Sequence, residues 1–457
     1  MLTVNDILEG TAGTLVAARA PDGATFRRSI IDSREAAEGD LFFALRGENH
    51  DAHDFVPEAF KSGAAGAVVA RPVEAGEHAV FHVSDPLDAL QRLAAFWRRR
   101  HDVRVVGITG SVGKTTCKEL TAAVLSSRYH TLKSEANINT EIGIPLTLLQ
   151  LTKEHERAVL EFGMHLPGDI ELLAEIAAPD VGVVTNVGPV HMERAGSIGA
   201  IGAAKAELVE ALPKDGLAVL NGDDPRVTVM ARWSRASALL YGLGEQCDVR
   251  GSEIETRGLE GISFTITHEG KSVRAQCPLP GRHHVYPALA ATAVALEDGL
   301  SLEEIAAALA EARVDLRLTV RAGVNGCTII DDSYNASPDS MVAALDLLAE
   351  LPGRRIAVLG HMRELGAAEE EGHRRVGQHT KGRCDALYVV GEDARVLAEE
   401  ARAAGQETTL IESADEAAEA LRKELREGDH VLVKASRAVG LESLVDALIG
   451  KPDGTSG

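Results

Sequence analysis

A short glycine-rich segment, GSVGKTT at residues 110–116, stands between a β-branched run, RVVGIT, and an alanine- and leucine-rich run with helical spacing. A strand that turns through glycines into a helix is typical of a parallel α/β sheet. The backbone N–H groups of such a turn close around phosphates, and the helix N-terminus adds positive potential. The segment therefore predicts a phosphate-binding loop formed by Gly110, Ser111, Val112, Gly113, Lys114, Thr115 and Thr116.

Within this loop, Lys114 is expected to reach the outer phosphates and Thr115 to face magnesium. The strict pattern G-x-x-x-x-G-K-[ST] requires glycine where this chain has Ile108, so the match fails by one residue. The alternative is an ordinary glycine-rich turn, but the strand, glycines, Lys-Thr pair and helix together favour phosphate binding. The loop does not name the reaction, although the lack of Asn-Lys-x-Asp in the sequence argues against a GTPase.

Alternating strand-like and helical patterns extend over most of the 457 residues. From about Arg104 they predict a parallel sheet covered by helices, which a hairpin-like pair of strands near residues 261–281 extends at its edge. A second series, from Cys327 to Leu448, predicts a doubly wound sheet. We expect an α/β protein of three domains: a mixed α/β N-terminal domain (residues 1–100), a central P-loop-type parallel-sheet ATPase domain (101–312) and a C-terminal Rossmann-like domain (313–457).

Composition excludes several classes of protein. Lysine and arginine total 47 against 69 acidic residues, a net charge of −22, so the field of the chain repels nucleic acid. No apolar stretch is long enough to span a bilayer, and the N-terminus lacks the pattern of a secretory signal. Five scattered cysteines without a Cys-x-x-Cys pair indicate reduced thiols. We expect a cytoplasmic, monomeric protein with no membrane insertion and no nucleic-acid partner.

Three further residues are candidates for a site beside the loop. Glu161 ends the strand-like run AVLEF and His191 follows VGVVTNV, so both are expected at the same edge of the sheet as the loop. A carboxylate and a neutral imidazole are ordinary metal ligands, but a polar strand end and a histidine at a helix start have the same pattern. Lys205 lies in an alanine-rich helix, where an exposed lysine is the ordinary interpretation.

Several segments together resemble the Mur ligases: TGSVGKTT, Asn137-Ile-Asn139 before TEIG, the EFG strand end, NVGPVHMERAGS with AAKAE, and DDSYNASPDSM. IDSR and GDLFFALRGENHDAHDF extend the resemblance to the N-terminal hundred residues. DDSYNA-x-P-x-SM, LG-x-M-x-ELG and VK-x-SR make it nearest to the member that joins D-alanyl-D-alanine to a UDP-linked muramoyl tripeptide. In such ligases ATP phosphorylates the carboxylate, and the incoming amine then displaces phosphate.

The resemblance implies ATP and Mg²⁺ as cofactors, the UDP-linked muramoyl tripeptide and D-alanyl-D-alanine as substrates, and a role for each matching residue. The implied catalytic residues are Lys114, Glu161, His191, Lys205 and Asp332. ATP is expected on the glycine-rich loop, Arg317 and Asp332. The implied metal ligands are Thr115, Glu161, His191 and Lys205, the last after the carbamylation that turns the matching lysine of the family into a carboxylate. The implied substrate-binding residues are Ser33, Arg34, Arg46, His53, Asn137, Asn139, Tyr334, Asn335, Lys434, Ser436 and Arg437.

The chain also departs from the family pattern. GRHHVYP stands where GRHN-x-x-N is usual, so His284 and Pro287 replace the two asparagines that help frame the adenine in the family. His361 stands where the segment LGDM supplies aspartate. Two alternatives stay open: a sibling ligase that adds a single amino acid to a nucleotide-linked peptide or to a folate, and a regulatory protein that binds ATP without ligation.

Overall fold

The structure, a computed structural model, describes residues 1–47, 49–135, 138–190, 192–314 and 318–449. Within these ranges the strands form three large sheets and one two-stranded sheet, and each large sheet is built from its own stretch of the chain. The predicted class, α/β with three domains, is confirmed. The boundaries near residues 100 and 313 stay predictions.

The N-terminal stretch forms a mixed sheet with helices beside it. Its strands are β1 (Leu2–Thr3), β2 (Leu15–Arg19), β3 (Thr25–Phe26), β4 (Ser29–Ile30), β5 (Leu41–Phe43), β6 (Gly66–Val69) and β7 (Ala79–Val83). Its helices are α1 (Val4–Gly10), α2 (Val56–Lys61) and α3 (Pro86–Arg99). The main sheet has the order β2-β7-β6-β5-β4, parallel except for β2, and β1 pairs only with β3.

The helix α3 joins this stretch to the central one. The Asp85 carboxylate accepts hydrogen bonds from the N–H groups of Leu87 and Asp88, and Pro86 occupies the first turn, where no backbone donor is needed. The buried positions of the helix recur at helical spacing, and they pack in one apolar cluster with residues of both stretches. Trp97 adds a hydrogen bond from its indole N–H to the carbonyl of Leu151.

The central stretch forms a nine-stranded sheet. Its strands are β8 (Arg104–Thr109), β9 (Thr131–Lys133), β10 (Arg157–Glu161), β11 (Val181–Val184), β12 (Leu217–Asn221), β13 (Ser237–Gly242), β14 (Val249–Thr256), β15 (Ile262–His268) and β16 (Lys271–Cys277). Its helices are α4 (Lys114–Ser126), α5 (Gly143–Leu148), α6 (Asp169–Ala177), α7 (Met192–Ala195), α8 (Ile198–Glu210), α9 (Pro225–Thr228), α10 (Val285–Glu297) and α11 (Leu302–Glu311).

The strand order of this sheet is β16-β15-β14-β13-β12-β11-β8-β10-β9. All neighbours are parallel except β14-β15 and β15-β16, so the predicted hairpin does extend the sheet at its edge. Strands β8 and β11 are almost wholly buried, as expected of parallel strands covered on both faces. Their order leaves the ends of β8, β10 and β11 side by side at one edge.

The C-terminal stretch forms a six-stranded sheet with the order β17-β18-β22-β19-β20-β21, parallel except for β17. Its strands are β17 (Thr319–Ala322), β18 (Thr328–Asp331), β19 (Arg355–Gly360), β20 (Ala386–Val390), β21 (Thr408–Ile411) and β22 (His430–Lys434). Its helices are α12 (Pro338–Ala349), α13 (Glu369–His379), α14 (Arg395–Ala403), α15 (Ala414–Glu424) and α16 (Glu442–Leu448). Among the described residues, no helix combines the length and the hydropathy needed to cross a membrane.

A buried ion cluster lies where β8 and β10 begin, at the opposite ends of these strands from the edge just described. The Asp298 carboxylate accepts one hydrogen bond from Arg104, which begins β8, and one from Arg157, which begins β10, each at 2.7 Å. The Asp298 side chain is 1% exposed. The guanidinium of Arg157 also lies 3.9 Å from the centre of the Tyr129 ring. This cluster fixes the end of α10 against the two strands that carry the site residues at their other ends.

We predict that Asp298→Ala lowers the free energy of unfolding by about 3 kcal/mol, because two partly buried guanidinium groups lose their carboxylate. The measurement is chemical denaturation of the full chain. Glu297→Ala is the matched control, since Glu297 also pairs with Arg104 but is about half exposed; its effect is expected to stay within about 0.5 kcal/mol. Equal losses for the two variants would contradict the role of burial.

Candidate active site

One large cleft, of about 1570 Å³, lies between the central and C-terminal sheets. Its walls are the segments that follow β8, β10 and β11 on one side and β18, β19 and β22 on the other, which is where parallel sheets bind ligands. Most of the residues expected in the site line this cleft: Gly110, Ser111, Val112, Gly113, Lys114, Thr115, Thr116, Asn139, Glu161, Lys205, Asp332, Tyr334, Asn335, Lys434, Ser436 and Arg437.

The glycine-rich loop requires glycine at two positions. Gly110 has φ of +149°, and a Cβ there would overlap the hydroxyl of Thr185. Gly113 has φ of +83° at the start of α4, a conformation that side chains with a Cβ rarely adopt. The Lys114 ammonium bends back and donates to the carbonyl of Gly110 at 2.9 Å. The loop is thus wound around the N-terminus of a helix, in the geometry that binds phosphate.

Asn186, which the sequence argument did not select, holds this loop in place. Its side-chain oxygen accepts from the N–H groups of Ser111 (3.1 Å) and Val112 (2.8 Å). Its amide nitrogen donates to the carbonyl of Val112 at 2.9 Å. Thr185 donates to the same carbonyl. The signal in the sequence was a polar Thr-Asn pair directly after the apolar strand VGVV, which becomes informative only once β11 is known to lie beside β8.

Glu161, the last residue of β10, forms the centre of the site. Its side chain is nearly inaccessible to solvent, yet both oxygens accept hydrogen bonds. Thr115 donates to Oε2 at 2.8 Å, and the Asn139 amide donates to Oε1 at 3.0 Å. The hydroxyl oxygen of Thr115 and the carboxylate of Glu161 are hard oxygen ligands of the kind Mg²⁺ prefers, so these two residues fit that ion.

Lys205 lies on α8 with its side chain buried, 1% exposed, instead of solvated as a lone lysine usually is. Its Nζ contacts the sulfur of Met164 at 3.6 Å. Burial, with a smaller contribution from the charge of Lys114, holds the pKa of Lys205 well below its ordinary value, so the neutral amine is favoured. A bare lysine does not ligate Mg²⁺, whereas a carboxylate added to its nitrogen would.

The opposite wall is a hydrogen-bonded cluster at the ends of β18 and β22. The buried ammonium of Lys434 donates to the Asp332 carboxylate at 2.6 Å and to the carbonyl of Asn335 at 2.9 Å. The guanidinium of Arg437 lies over the Tyr334 ring, 5.4 Å from its centre. The Ser436 hydroxyl accepts from the backbone N–H of Arg363 at 2.9 Å. Five of the predicted substrate-binding residues therefore form one wall with Asp332.

The positions that depart from the family pattern also line the cleft. His284 donates from Nδ1 to the carbonyl of Pro280 at 2.7 Å, and burial lowers its pKa to about 4, so its Nε2 is an acceptor at neutral pH. Pro287 lies next to the glycine-rich loop, 4.0 Å from where a Cβ of Gly113 would be. His361 donates from Nδ1 to the carbonyl of Asp393 at 2.9 Å.

The four candidates in the N-terminal domain lie outside the lining of the cleft. Within the N-terminal domain, Ser33 and His53 are buried, whereas Arg34 and Arg46 are exposed. The His53 ring bridges Asp51, at 2.6 Å from Nδ1, and the N–H of Ala70, which donates to Nε2 at 2.8 Å. Arg34 pairs with Asp32. Three more candidates, Asn137, His191 and Arg317, lie outside the described residues.

Comparison with known proteins identifies the class. Three family models match: "Mur ligase family, catalytic domain" at residues 29–98, "Mur ligase middle domain" at residues 108–295 and "Mur ligase, glutamate ligase domain" at residues 316–437. The order of these matches along the chain follows the order of the three sheets. Fold, phosphate loop and matches together define an ATP-dependent ligase.

Individual relatives establish the family to which this chain belongs. The UDP-N-acetylmuramoyl-tripeptide–D-alanyl-D-alanine ligase of Synechocystis sp. is 41% identical over 426 residues, 92% of this chain and 91% of that protein. The crystal structure of MurF from Acinetobacter baumannii has a TM-score of 0.89 at 31% identity and covers 98% of this chain and 99% of that one. The MurF ligase of Thermotoga maritima, solved in complex with ADP, has a TM-score of 0.81 at 30% identity, over 92% and 96% of the two chains. This chain belongs to the Mur ligase family.

We predict that Asn186→Ala weakens ADP binding about tenfold, because the amides of Ser111 and Val112 lose their common acceptor and the loop loses its shape. Isothermal titration calorimetry with ADP measures the change. Asn325→Gly is the matched control: Asn325 donates to the carbonyls of Arg422 and Leu425, outside the cleft, and its φ of +56° suits glycine. Unchanged ADP affinity in Asn186→Ala would show that the loop keeps its shape unaided.

Proposed function

We propose that this protein adds D-alanyl-D-alanine to UDP-N-acetylmuramoyl-tripeptide with ATP and Mg²⁺, a step in peptidoglycan precursor synthesis. The observation that carries the proposal is the cleft in which the glycine-rich loop and Glu161 lie opposite the cluster around Asp332 and Lys434. Relatives aligned over nine-tenths or more of the chain have names that specify this reaction. We assign these substrates to this protein because it is similar to those relatives.

The residues of the loop bind and orient ATP. The N–H groups at the start of α4 and the ammonium of Lys114 take the phosphates, and Thr115 with Glu161 holds Mg²⁺. The ion supplies neutralisation of the charge that gathers on the transferred phosphoryl group. The terminal phosphoryl group of ATP passes to the tripeptide carboxylate, ADP leaves, and an acyl phosphate forms. The dipeptide amine then attacks the acyl carbon, phosphate leaves as the amide bond forms, and the amine loses a proton to solvent. We assign Arg317 and Asp332 to ATP, and His191 to the metal, by the same likeness.

The C-terminal wall positions the acceptor and excludes water. Water would hydrolyse an acyl phosphate, so the two domains need to meet around the substrates. In the structure they are in contact: the N–H of Met192 donates to the carbonyl of Glu364 at 3.0 Å. We assign to substrate binding Asn139, Tyr334, Asn335, Lys434, Ser436 and Arg437, together with Asn137.

The UDP-sugar end of the donor is assigned to the N-terminal domain. Arg46 and Arg34 offer exposed guanidinium groups for a pyrophosphate. Ser33 and His53 shape the backbone around them, since His53 ties Asp51 to the start of the segment after β6. We propose a monomer that acts in the cytoplasm, where ATP is abundant; all five cysteines, each among the described residues, are free thiols.

We also propose that Lys205 is carbamylated. The neutral amine attacks CO₂, an N–C bond forms, and one N–H proton leaves to solvent, so a negatively charged carbamate replaces the neutral amine. The burial of Lys205 supports this, because it favours the neutral amine that the reaction needs, and the carbamate formed has the negative charge of a metal ligand.

The first experiment measures phosphate release from ATP and Mg²⁺ with UDP-N-acetylmuramoyl-tripeptide and one of three additions: D-alanyl-D-alanine, single amino acids, or no amine. Release is expected only with the dipeptide, by at least about a hundredfold over the amine-free rate, because the acyl phosphate is shielded from water. Release with a single amino acid would assign the chain to a sibling ligase. Nucleotide binding without any release would favour the regulatory alternative.

A second prediction tests the carbamate. Lys205→Ala is expected to lower kcat at least about a hundredfold, because a charged group that contacts the metal is lost. Short carboxylates such as acetate or propionate fit the space left by the side chain and are expected to restore part of kcat, whereas chloride at equal ionic strength restores none. Loss of activity without rescue by any carboxylate would contradict carbamylation.

A further inference from the structure

A second lysine of α4, Lys118, is buried more completely than Lys114 and has no part in the function proposed above. Its side chain is 0% exposed. The ammonium donates to the backbone carbonyl of Ser134 at 2.7 Å and pairs with Glu119 at 2.9 Å. An ammonium ion loses its hydration when it is buried, and a methionine of similar length would fill the same space without that cost. Stability therefore does not explain why an ammonium is buried here, and its two partners indicate another role.

Ser134 is the partner that leads to the active site. It follows β9, the edge strand of the central sheet, and is fully buried. Its N–H donates to the carbonyl of Val159 on β10, and its hydroxyl accepts from the N–H of Glu161 at 3.0 Å. Because the N–H of Glu161 bonds to the hydroxyl of Ser134 and not to its carbonyl, that carbonyl needs another donor, and Lys118 supplies it.

The same helix therefore holds Glu161 in two ways. Thr115 and Lys118 are three residues apart on α4 and so project from one face of the helix. Thr115 donates directly to the Glu161 carboxylate, and Lys118 acts on its backbone through Ser134. Ser134 also begins the segment that reaches Asn139, the second donor to that carboxylate. Glu119 pairs with both Lys118 and Lys133, so the end of β9 is fixed at two adjacent residues.

We propose that Lys118 is a positioning residue of the ligase site: through Ser134 it fixes the Glu161 carboxylate where it can share Mg²⁺ with bound nucleotide. The inference rests on the proposed function in one respect, the assignment of Glu161 to the metal. It predicts that removing the ammonium impairs the response to Mg²⁺ and leaves metal-free nucleotide binding intact.

The experiment compares Lys118→Met and Ser134→Ala with wild type in the full-length protein. Calorimetry gives the affinity for a non-hydrolysable ATP analogue with saturating Mg²⁺ and with EDTA, and the ratio of the two affinities is the gain due to Mg²⁺. For Lys118→Met we expect this gain to fall about tenfold, as for other residues that support a metal ligand. Ser134→Ala removes the hydroxyl that accepts from the N–H of Glu161, and it is expected to lower the gain due to Mg²⁺ as well. The affinity in EDTA is expected to stay unchanged in both variants.

Asp298→Asn is the matched control. Asp298 is also a buried ion-pair residue, but it contacts the residues that begin β8 and β10, at the opposite ends of these strands from Glu161. It is expected to lower stability and leave the gain unchanged. Equal gains in wild type, Lys118→Met and Ser134→Ala would overturn the inference, and so would an equal loss in Asp298→Asn. Should Lys118→Met fail to fold, Ser134→Ala decides alone by the same criterion.

Failure of the proposed function gives a different result. Wild-type protein that releases no phosphate with the tripeptide and D-alanyl-D-alanine, yet loses its Mg²⁺ gain in both variants, would refute the reaction and support the positioning role. Wild-type protein that shows no gain from Mg²⁺ would overturn the positioning role, whatever its ligase activity.

Discussion

The site is organised around the buried carboxylate of Glu161. A carboxylate that is 1% exposed loses most of its hydration, and folding places it there only because other groups replace the water. Two donors reach its oxygens, Thr115 from the helix after the glycine-rich loop and Asn139 from the segment after β9. Three segments that are distant in sequence must therefore fold together before this carboxylate has its partners.

The parallel order of the central sheet makes this meeting possible. Strands β8, β10 and β11 are neighbours, so the residues that follow them reach the same edge although they are separated by dozens of positions in the chain. Asn186 shows the consequence, since it follows β11 and yet holds the loop that follows β8. The loop owes its shape to a neighbouring strand as much as to its own glycines.

Among the described residues three lysines are buried, and each has different partners. Lys434 has a carboxylate, Asp332, and Lys118 has Glu119, so each buried charge is compensated. Lys205 contacts a methionine sulfur instead, and its pKa is lowered by burial. The same residue type thus has a carboxylate partner in two places and an apolar, sulfur-lined surrounding in the third.

The sequence by itself determined the class of fold, the phosphate loop and the family, because these depend on local patterns: strand, glycines, Lys-Thr and helix are contiguous. The edge hairpin β15–β16 was predictable for the same reason. Asn186, Ser134 and Lys118 were not, because each acts on a residue that only strand order brings near. Tertiary structure also overturned the ordinary interpretation of Lys205 as a solvated lysine. An isolated lysine on a helix is usually solvated, and only the packing of α8 against the central sheet buries its amine.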